Sequence, residues 1–251
     1  MGLFRPTATD DTATFYEDLM EGRRSCFFWG RQRFDAAKAA RSRSVAQHFT
    51  TPIRALIRQD QHVLDVGCGA GVFLPIVSPL CARLIGLESS PAFAQLSRDV
   101  VQQRQLTNTS VVSGVCEALP FDTATFDVVL VVDVLHHLTH LRESVAELQR
   151  VLKPGGTLIV FEPSKLNPLL ALLCFLDRNE WGLLALGTPR AYRRLLGPHF
   201  TIETLAYSGL VIGPDNRLIT GIADLLSAGT AYRLLGWLNP KLRIVARKPA
   251  A

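Results

Sequence analysis

Between residues 61 and 163, short apolar runs alternate with segments in which apolar residues recur at the helical period. Two segments have that period, Pro91–Gln103 and 141–152, and the second stops at Pro154, Gly155 and Gly156. The apolar runs have the length of strands and cover 62–66, 83–87, 110–113, 126–132 and 157–161. Because apolar strands that alternate with helices form parallel sheets covered on both faces, the pattern predicts the α/β fold class.

The two ends of the chain have a different pattern. Residues 13–49 look helical and mix large aromatic side chains with arginines, so we expect a cap that either closes over a substrate or packs on the sheet rim. Near the C-terminus, the strand patterns 201–207 and 242–247 are separated by an apolar helical stretch over 217–237. We therefore expect a single domain in three parts: an N-terminal helical cap (1–60), a ligand-binding core (61–163), and a substrate lid with the last two strands (164–251).

Two short apolar segments, 169–176 and 181–187, follow the fifth strand pattern. Neither reaches the ~20 residues that a helix needs to span a bilayer, so the sequence predicts no transmembrane segment. The pair can form a lid over an apolar pocket, an interfacial membrane anchor or ordinary core packing, and the sequence leaves these three alternatives open. Arg190, Arg193 and Arg194 follow, where they suit an anionic headgroup or phosphate, or lie solvated on a helix face.

The composition is that of a globular protein, since 48% of the 251 residues are hydrophobic and 20% are charged. This balance excludes disordered, collagen-like and disulfide-stapled chains. The net charge of +5 divides into +3 for the cap, −4 for the core and +6 for the C-terminal part. Because the sequence contains no Lys/Arg tract, and no RNA platform of aromatic and basic residues outside the N-terminal segment, we do not expect nucleic acid as a partner.

The five cysteines are isolated, with no C-x-x-C pair and no nearby histidines at metal-ligand spacing. We therefore expect neither a disulfide framework nor a structural zinc site. The carboxylates are not clustered as a magnesium site requires, so no metal is expected. The N-terminus lacks the apolar segment of a secretory signal, and we expect a reducing, cytoplasmic location.

Glycines and polar residues follow the predicted strands, at the positions where parallel sheets bind ligands. The first strand ends in a glycine turn at 67–71, where missing side chains let a ligand approach the backbone. Glu88 follows the second strand, 23 residues beyond Asp65, which suits a side chain that accepts hydrogen bonds from ribose hydroxyls. The G-x-G-x-G spacing differs from the dinucleotide pattern G-x-G-x-x-G and disfavours an NAD-dependent dehydrogenase. The residues after the third and fourth strands include Cys116, Glu117, Asp133, His136 and His137. Together they predict a nucleoside-binding edge.

Five ordered blocks of the core resemble a known family. They are VLDVGCGAG at 63–71, LIGLESS at 84–90, CEALPF at 116–121, FDVVLVVDVLHHL at 126–138 and LQRVLKPGGTLIVFEP at 148–163. In this order they resemble the class I S-adenosylmethionine-dependent methyltransferases, particularly the branch that acts on small molecules. The resemblance implies S-adenosylmethionine as cofactor and a doubly wound, mostly parallel seven-stranded sheet with an antiparallel last strand.

The resemblance also implies roles for the residues that follow the first two strands. Asp65 and the amides around Gly67 and Gly69 would hold the methionine portion of the cofactor, with Gly71 completing the turn. Glu88 would accept hydrogen bonds from the ribose hydroxyls. These are expectations carried over from the family, residue by residue.

The adenine side of the site departs from the family at one position. Ser89 would border the adenine, but Val115 stands where the family often has an acidic residue that accepts from the adenine amino group. Either the Cys116 backbone and the Glu117 side chain serve the adenine, or that contact is missing. Asp133 would face the methionine amino group or the reaction space, or else cap the helix that follows it.

A sulfonium methyl group is already activated, so the enzyme chiefly aligns an acceptor and a general base is optional. His136 and His137 lie where a base would be useful, and a structural or cofactor-edge role is the alternative. We expect methyl transfer to oxygen or carbon of an apolar or lipid-like small molecule, with peripheral membrane contact left open. The alternatives are a glycan or lipid-linked sugar precursor as acceptor, or cofactor binding without catalysis. The oligomeric state and the acceptor are not specified by the sequence.

Overall fold

The structure is a computed structural model that describes residues 35–176, 180–209 and 229–250, together with the isolated positions 14, 17, 18, 21, 23, 221 and 224–226. Much of the predicted N-terminal cap and most of the stretch between 210 and 228 lie outside the described residues.

The sheet has the predicted topology. Its strands are β1 (His62–Val66), β2 (Arg83–Glu88), β3 (Thr109–Ser113), β4 (Phe126–Val132), β5 (Leu152–Pro163), β6 (Thr201–Ser208) and β7 (Lys241–Arg247). They form one seven-stranded sheet in the order β3-β2-β1-β4-β5-β7-β6. Strands β1 to β5 are parallel, and β7 pairs antiparallel with both β5 and β6. The predicted fold class is confirmed.

Helices cover this sheet, and the bounds of several agree with the sequence pattern. They include α1 (Ala36–Arg41), α2 (Arg43–Val45), a π-helix (Ala46–Thr50), α3 (Thr51–Arg54), α4 (Leu74–Val77), α5 (Pro91–Gln103), α6 (Leu141–Val151), α7 (Pro168–Leu176), α8 (Trp181–Leu186), α9 (Pro189–Leu196) and α10 (Gly229–Leu235), with 3₁₀ turns at Ser78–Leu80, Leu135–His137 and Gly236–Leu238. Helix α5 begins where the Ser90 hydroxyl accepts from the Phe93 amide, with Pro91 in the first turn.

The central strands are apolar because both faces of the sheet are buried. In β1, Leu64 packs into the hydrophobic core on one face, while Val63 packs into the core on the other. In β4, Val129 packs into the same core as Leu64, and Val128 packs into the same core as Val63. Each fully buried side chain of this kind contributes about 1.5–3 kcal/mol through its removal from water. This burial fixes the register of the strands and hence the position of their carboxyl ends.

The start of β5 differs from the prediction. Helix α6 ends at Val151, and β5 begins at Leu152 rather than at 157. Leu152 is buried and pairs with Phe126, after which the register shifts between Phe126 and Val128. The segment Pro154, Gly155 and Gly156, which was expected to end the helix, lies inside this irregular strand, and Gly155 has a φ of +73°. The burial of Leu152 against β4 explains why the strand starts early.

The two apolar segments after β5 form separate short helices. Helix α7 buries Leu170 and Cys174 and exposes an apolar stripe on its other side, formed by Leu169, Leu172, Phe175 and Leu176. Helix α8 buries Gly182 and Leu183. Core packing alone therefore does not account for α7. Within the described ranges, none of the helices combines the length and apolarity that a membrane crossing requires.

Candidate functional site

The predicted site residues gather at the carboxyl ends of β1, β2 and β4, where the strand order reverses on the two sides of β1. A cavity at this edge brings together residues from the turns after β1, β2, β3 and β4, and its lining includes Gly67, Ser89, Val115, Cys116, Glu117, Val134 and Leu138. Such a switch point is where doubly wound sheets bind nucleotides. Five positions that the sequence analysis discussed separately thus line one cavity.

The glycine turn needs glycine for two reasons. Gly67, Gly69 and Gly71 have φ values of +67°, +56° and +74°, in the left-handed region that side chains disfavour. A Cβ at Gly67 would lie 2.5 Å from Val134 Cγ2, whereas a Cβ at Gly69 would meet no described atom within 4 Å. The turn is therefore packed against the β4 exit at its start, and no described residue covers it at Gly69.

The amides of this turn make bonds that the sequence did not indicate. The Gly67 amide donates to the Leu87 carbonyl at 2.8 Å, and the Gly69 amide donates to Glu88 Oε2 at 2.8 Å. Both donors are thus used within the protein. In this conformation the turn offers a ligand its open face rather than these two amides.

Glu88 is a buried carboxylate that connects β2 to its surroundings. Besides Gly69, it accepts from the Ser90 amide at 2.9 Å and from the Ser89 hydroxyl at 3.4 Å. Burial, the largest influence, raises the pKa of Glu88, and the hydrogen bonds from Ser90, Gly69 and Ser89 oppose that rise. Sequence spacing alone identified Glu88 but not its role in holding the glycine turn.

Asp65 is the most perturbed acid of the site. Its side chain is 2% exposed, and no donor among the described residues reaches its Oδ2. Burial, and secondly the charge of Glu88, raise the pKa of Asp65 to about 8. A buried carboxylate oxygen without a donor is costly, so the site favours a ligand that brings a hydrogen-bond donor or a positive charge.

Asp133 makes an ion pair that the sequence analysis missed. Its carboxylate binds the ammonium group of Lys241, which is only 2% exposed and lies 5.9 Å from the centre of the Phe49 ring. Asp133 has a φ of +57°, and the 3₁₀ turn after it has Val134 at its N-cap without a side-chain hydrogen bond. A lone lysine at the start of the last strand gave no sequence signal for this contact.

His136 lies between two carboxylates. Its Nδ1 is 2.6 Å from Glu162 Oε2, and its Nε2 is 3.3 Å from Glu180 Oε2. Burial is the largest influence and lowers the pKa of His136, but the two glutamates together raise it to about 10. The imidazole is therefore protonated at neutral pH and is no base in this state. His137 is half-buried, and its ring centre lies 3.9 Å from that of His136.

Glu162 holds this group of side chains in place. Its Oε1 accepts from the amides of Val134 and Leu135, each at 2.8 Å, and its Oε2 accepts from the Tyr192 hydroxyl at 3.2 Å. Glu162 is completely buried, so these donors offset the cost of removing its charge from water. The carboxylate fixes the turn after β4 and with it the orientation of His136.

The comparison with known proteins identifies the class. Residues 64–160 match the family described as a methyltransferase domain. Together with the sheet order and the switch-point cavity, this match shows that residues 64–160 form a methyltransferase domain of the class I S-adenosylmethionine-dependent type. The predicted family and its cofactor, S-adenosylmethionine, are confirmed.

Two curated relatives and one solved structure illustrate the likeness. The sterol 4-C-methyltransferase strm-1 of Caenorhabditis elegans is 31% identical over 112 residues, which cover 44% of this chain and 34% of that protein. The ubiquinone/menaquinone biosynthesis C-methyltransferase UbiE of Pasteurella multocida is 32% identical over 152 residues, or 55% of each chain. The crystal structure of the YcgJ protein from Bacillus subtilis covers 82% of this chain and 99% of its own, with a TM-score of 0.59 and 19% identity. This chain thus matches between 34% and 55% of the length of the two curated relatives.

Proposed function

We propose that this protein transfers the methyl group of S-adenosylmethionine to oxygen or carbon of an apolar, lipid-like small molecule. The observation that carries the proposal is the buried acid Asp65, whose Oδ2 accepts no hydrogen bond from the described residues. It lies beside the open glycine turn of a methyltransferase domain. S-adenosylmethionine bears both an ammonium group and a sulfonium centre. Its charge therefore fits the acidic side chains that this edge of the sheet presents.

Different residues of the chain would bind different parts of the cofactor. Asp65 and the open turn at Gly69 would hold the methionine portion. Glu88 would accept hydrogen bonds from the ribose hydroxyls with the carboxylate lone pairs that the Gly69 and Ser90 amides do not occupy. Ser89 and the backbone near Cys116 would border the adenine, since both lie in the cavity lining. Burial raises the pKa of the Cys116 thiol to about 12, so this cysteine is an apolar wall and not a nucleophile.

The acceptor side is supported by helices α7 and α8. Helix α8 packs against the 3₁₀ turn Leu135–His137, with Gly182 directly on the His136 carbonyl, and thus lies next to the β4 exit. The apolar stripe of α7 is more than half exposed at each of its members. We propose that the two helices form a lid over the acceptor side of the site, and that an apolar acceptor enters the site past this lid. Sterol and quinone methyltransferases among the relatives favour a lipid-like acceptor.

The chemistry then needs alignment more than acid–base catalysis. When bound, the cofactor supplies a methyl group on a good leaving group, so the protein's task is to hold an acceptor in line and to exclude water. His136, charged between Glu162 and Glu180, would position the β4 turn rather than remove a proton. His137 is the better-placed of the two histidines for contact with an acceptor because it is half-buried.

The proposal is tested first by calorimetric titration of the full chain with S-adenosylhomocysteine and, in parallel, with NAD. We expect binding of the first and none of the second. The protein is then incubated with S-adenosylmethionine and an isoprenoid quinol, a sterol or a lipid-linked sugar, and the masses of the products are measured by mass spectrometry. A mass gain of one methylene on the quinol or sterol supports the proposal. Methylation of the sugar substrate alone, or cofactor binding with no transfer, contradicts it.

A further inference from the structure

Three side chains that the proposed methyl transfer does not use as an acid or a base converge between the β4 exit and the lid. His136 and His137 follow β4, and Glu180 immediately precedes α8. One nitrogen or oxygen atom from each lies within 4.8 Å of the others. His136 and Glu180 are buried and His137 is half-buried. Two imidazoles and one carboxylate are a ligand set that proteins use for zinc and related divalent cations.

The distance between the two buried ligand atoms is longer than a strong hydrogen bond. Charge-assisted N–H to carboxylate bonds are about 2.7–2.9 Å long, whereas His136 Nε2 and Glu180 Oε2 are 3.3 Å apart. Ligands at about 2.0–2.1 Å from a tetrahedral ion lie roughly 3.3–3.4 Å from each other. The observed separation therefore equals the edge of a zinc coordination shell.

The orientation of His136 has a second feature of metal sites. Histidines that bind metals almost always give their other ring N–H to a carboxylate or carbonyl, which fixes the ring. Here His136 Nδ1 lies 2.6 Å from Glu162 Oε2, so Nε2 is the atom turned toward Glu180. Glu162 is itself held by two backbone amides and the Tyr192 hydroxyl. The ligand would thus be oriented before a metal arrives.

His137 completes the group by its closeness to His136. The ring centres are 3.9 Å apart and the ring planes are tilted by 43°. A side-chain rotation that shortens the longest separation, up to 4.8 Å, would bring the third ligand into the shell. Adjacent histidines with a glutamate 43 residues later match no metal-binding spacing motif, which is why the sequence analysis expected no metal.

We propose that His136 Nε2, His137 and Glu180 bind one divalent cation of the zinc class, with Glu162 as a positioning residue. On binding, the cation takes the place of the proton on His136 Nε2, and that proton is released to solvent. Three protein ligands leave a fourth position for water or another oxygen ligand. Because Glu180 belongs to the segment after β5 and the histidines to the β4 exit, the cation would attach the lid to the core.

The test uses the full chain after removal of metals with a chelator. Co²⁺ alone is titrated and its visible absorption recorded, since four-coordinate Co²⁺ absorbs far more strongly than the hydrated ion, and Zn²⁺ is then added in competition. We expect one equivalent to bind, and we expect Glu180→Gln and His137→Asn to lose the four-coordinate spectrum. His140→Asn, an exposed histidine of the same region, is the matched control and should bind as the unaltered chain does.

The second variant, Glu162→Gln, keeps all three ligands but weakens the hold on His136. We expect it to reduce Zn²⁺ affinity by about 10–100-fold, while circular dichroism confirms an intact fold. The proposal is overturned if Zn²⁺ does not bind at one equivalent, if Glu180→Gln binds it equally well, or if Glu162→Gln leaves the affinity unchanged. Titration of the metal-free chain with S-adenosylhomocysteine tests the proposed function separately, so failure of either proposal is recognised without the other.

Discussion

Replacing Asp65 by asparagine should change how the stability of the cofactor-free protein depends on pH. The folded-state pKa of Asp65 is about 8, while an unfolded aspartate has a pKa near 3.8. Between these values the folded protein holds one proton more than the unfolded chain. The stabilisation by Asp65 is therefore complete below the unfolded pKa, falls as the pH rises, and is lost once the pH passes about 8.

The size of the effect follows from a difference of one proton. Within this window the free energy of unfolding should fall by about 1.4 kcal/mol for each pH unit, because one pKa unit corresponds to that free energy. Asparagine does not titrate, so its variant should lack this slope. The difference between the two proteins should therefore change by roughly 3 kcal/mol over two pH units inside the window.

Urea unfolding followed by circular dichroism, at several pH values from 5 to 8, measures the difference directly. Saturating S-adenosylhomocysteine is the informative control, because its ammonium group should lower the pKa of Asp65 and flatten the slope of the unaltered protein. The variant should also bind that ligand more weakly. Parallel stability curves for the two proteins across this range would refute the assignment of a protonated Asp65.

Three further substitutions test separate contacts of the site. Glu88→Ala should weaken binding of S-adenosylhomocysteine by about 1–3 kcal/mol in calorimetry, through lost charge-assisted hydrogen bonds, and unchanged affinity would contradict the role of Glu88. Gly182→Ala places a methyl group on the His136 carbonyl and should cost about 1–3 kcal/mol in thermal unfolding, whereas Gly221→Ala, with no described atom within 4 Å of its Cβ, should be near neutral. Lys241→Met removes the buried ammonium group that pairs with the partly buried Asp133 and should destabilise by about 1–3 kcal/mol. Adding Asp133→Asn should recover part of that loss, and an additive double variant would argue against the pair.

The sequence predicted the sheet and the cavity because local signals carry them. Apolar strands, the left-handed glycines at 67–71 and the position of Glu88 are all visible in short segments. The contacts that complete the site join residues far apart in the chain. Lys241 reaches Asp133 across 108 positions, and Glu162 reaches His136 across 26. No periodicity or spacing rule specifies such pairs, since the registers of β4 with β5 and of β5 with β7 bring them together.

Buried charge is balanced differently on the two sides of the switch point. On the side of β4, β5 and β7, two carboxylates each have a cation: the partly buried Asp133 has Lys241, and the buried Glu162 has protonated His136. Pairing of this kind offsets the cost of desolvating Asp133 and Glu162. These two carboxylates therefore need no charge from an acceptor, so this half of the edge suits an apolar one.

On the side of β1 and β2, the acids Asp65 and Glu88 have no such partner. Among the described residues, neither makes an ion pair. Burial opposes the ionisation of both acids, and the Glu88 carboxylate also opposes the ionisation of Asp65. A folded protein retains two unbalanced buried acids at the expense of its own stability. That expense is recovered when a cationic ligand binds, since only the bound state allows Asp65 to ionise with a partner. The imbalance therefore favours a positively charged cofactor on this side, and it is the physical reason why cofactor affinity and cofactor-free stability should change in opposite directions in Asp65→Asn.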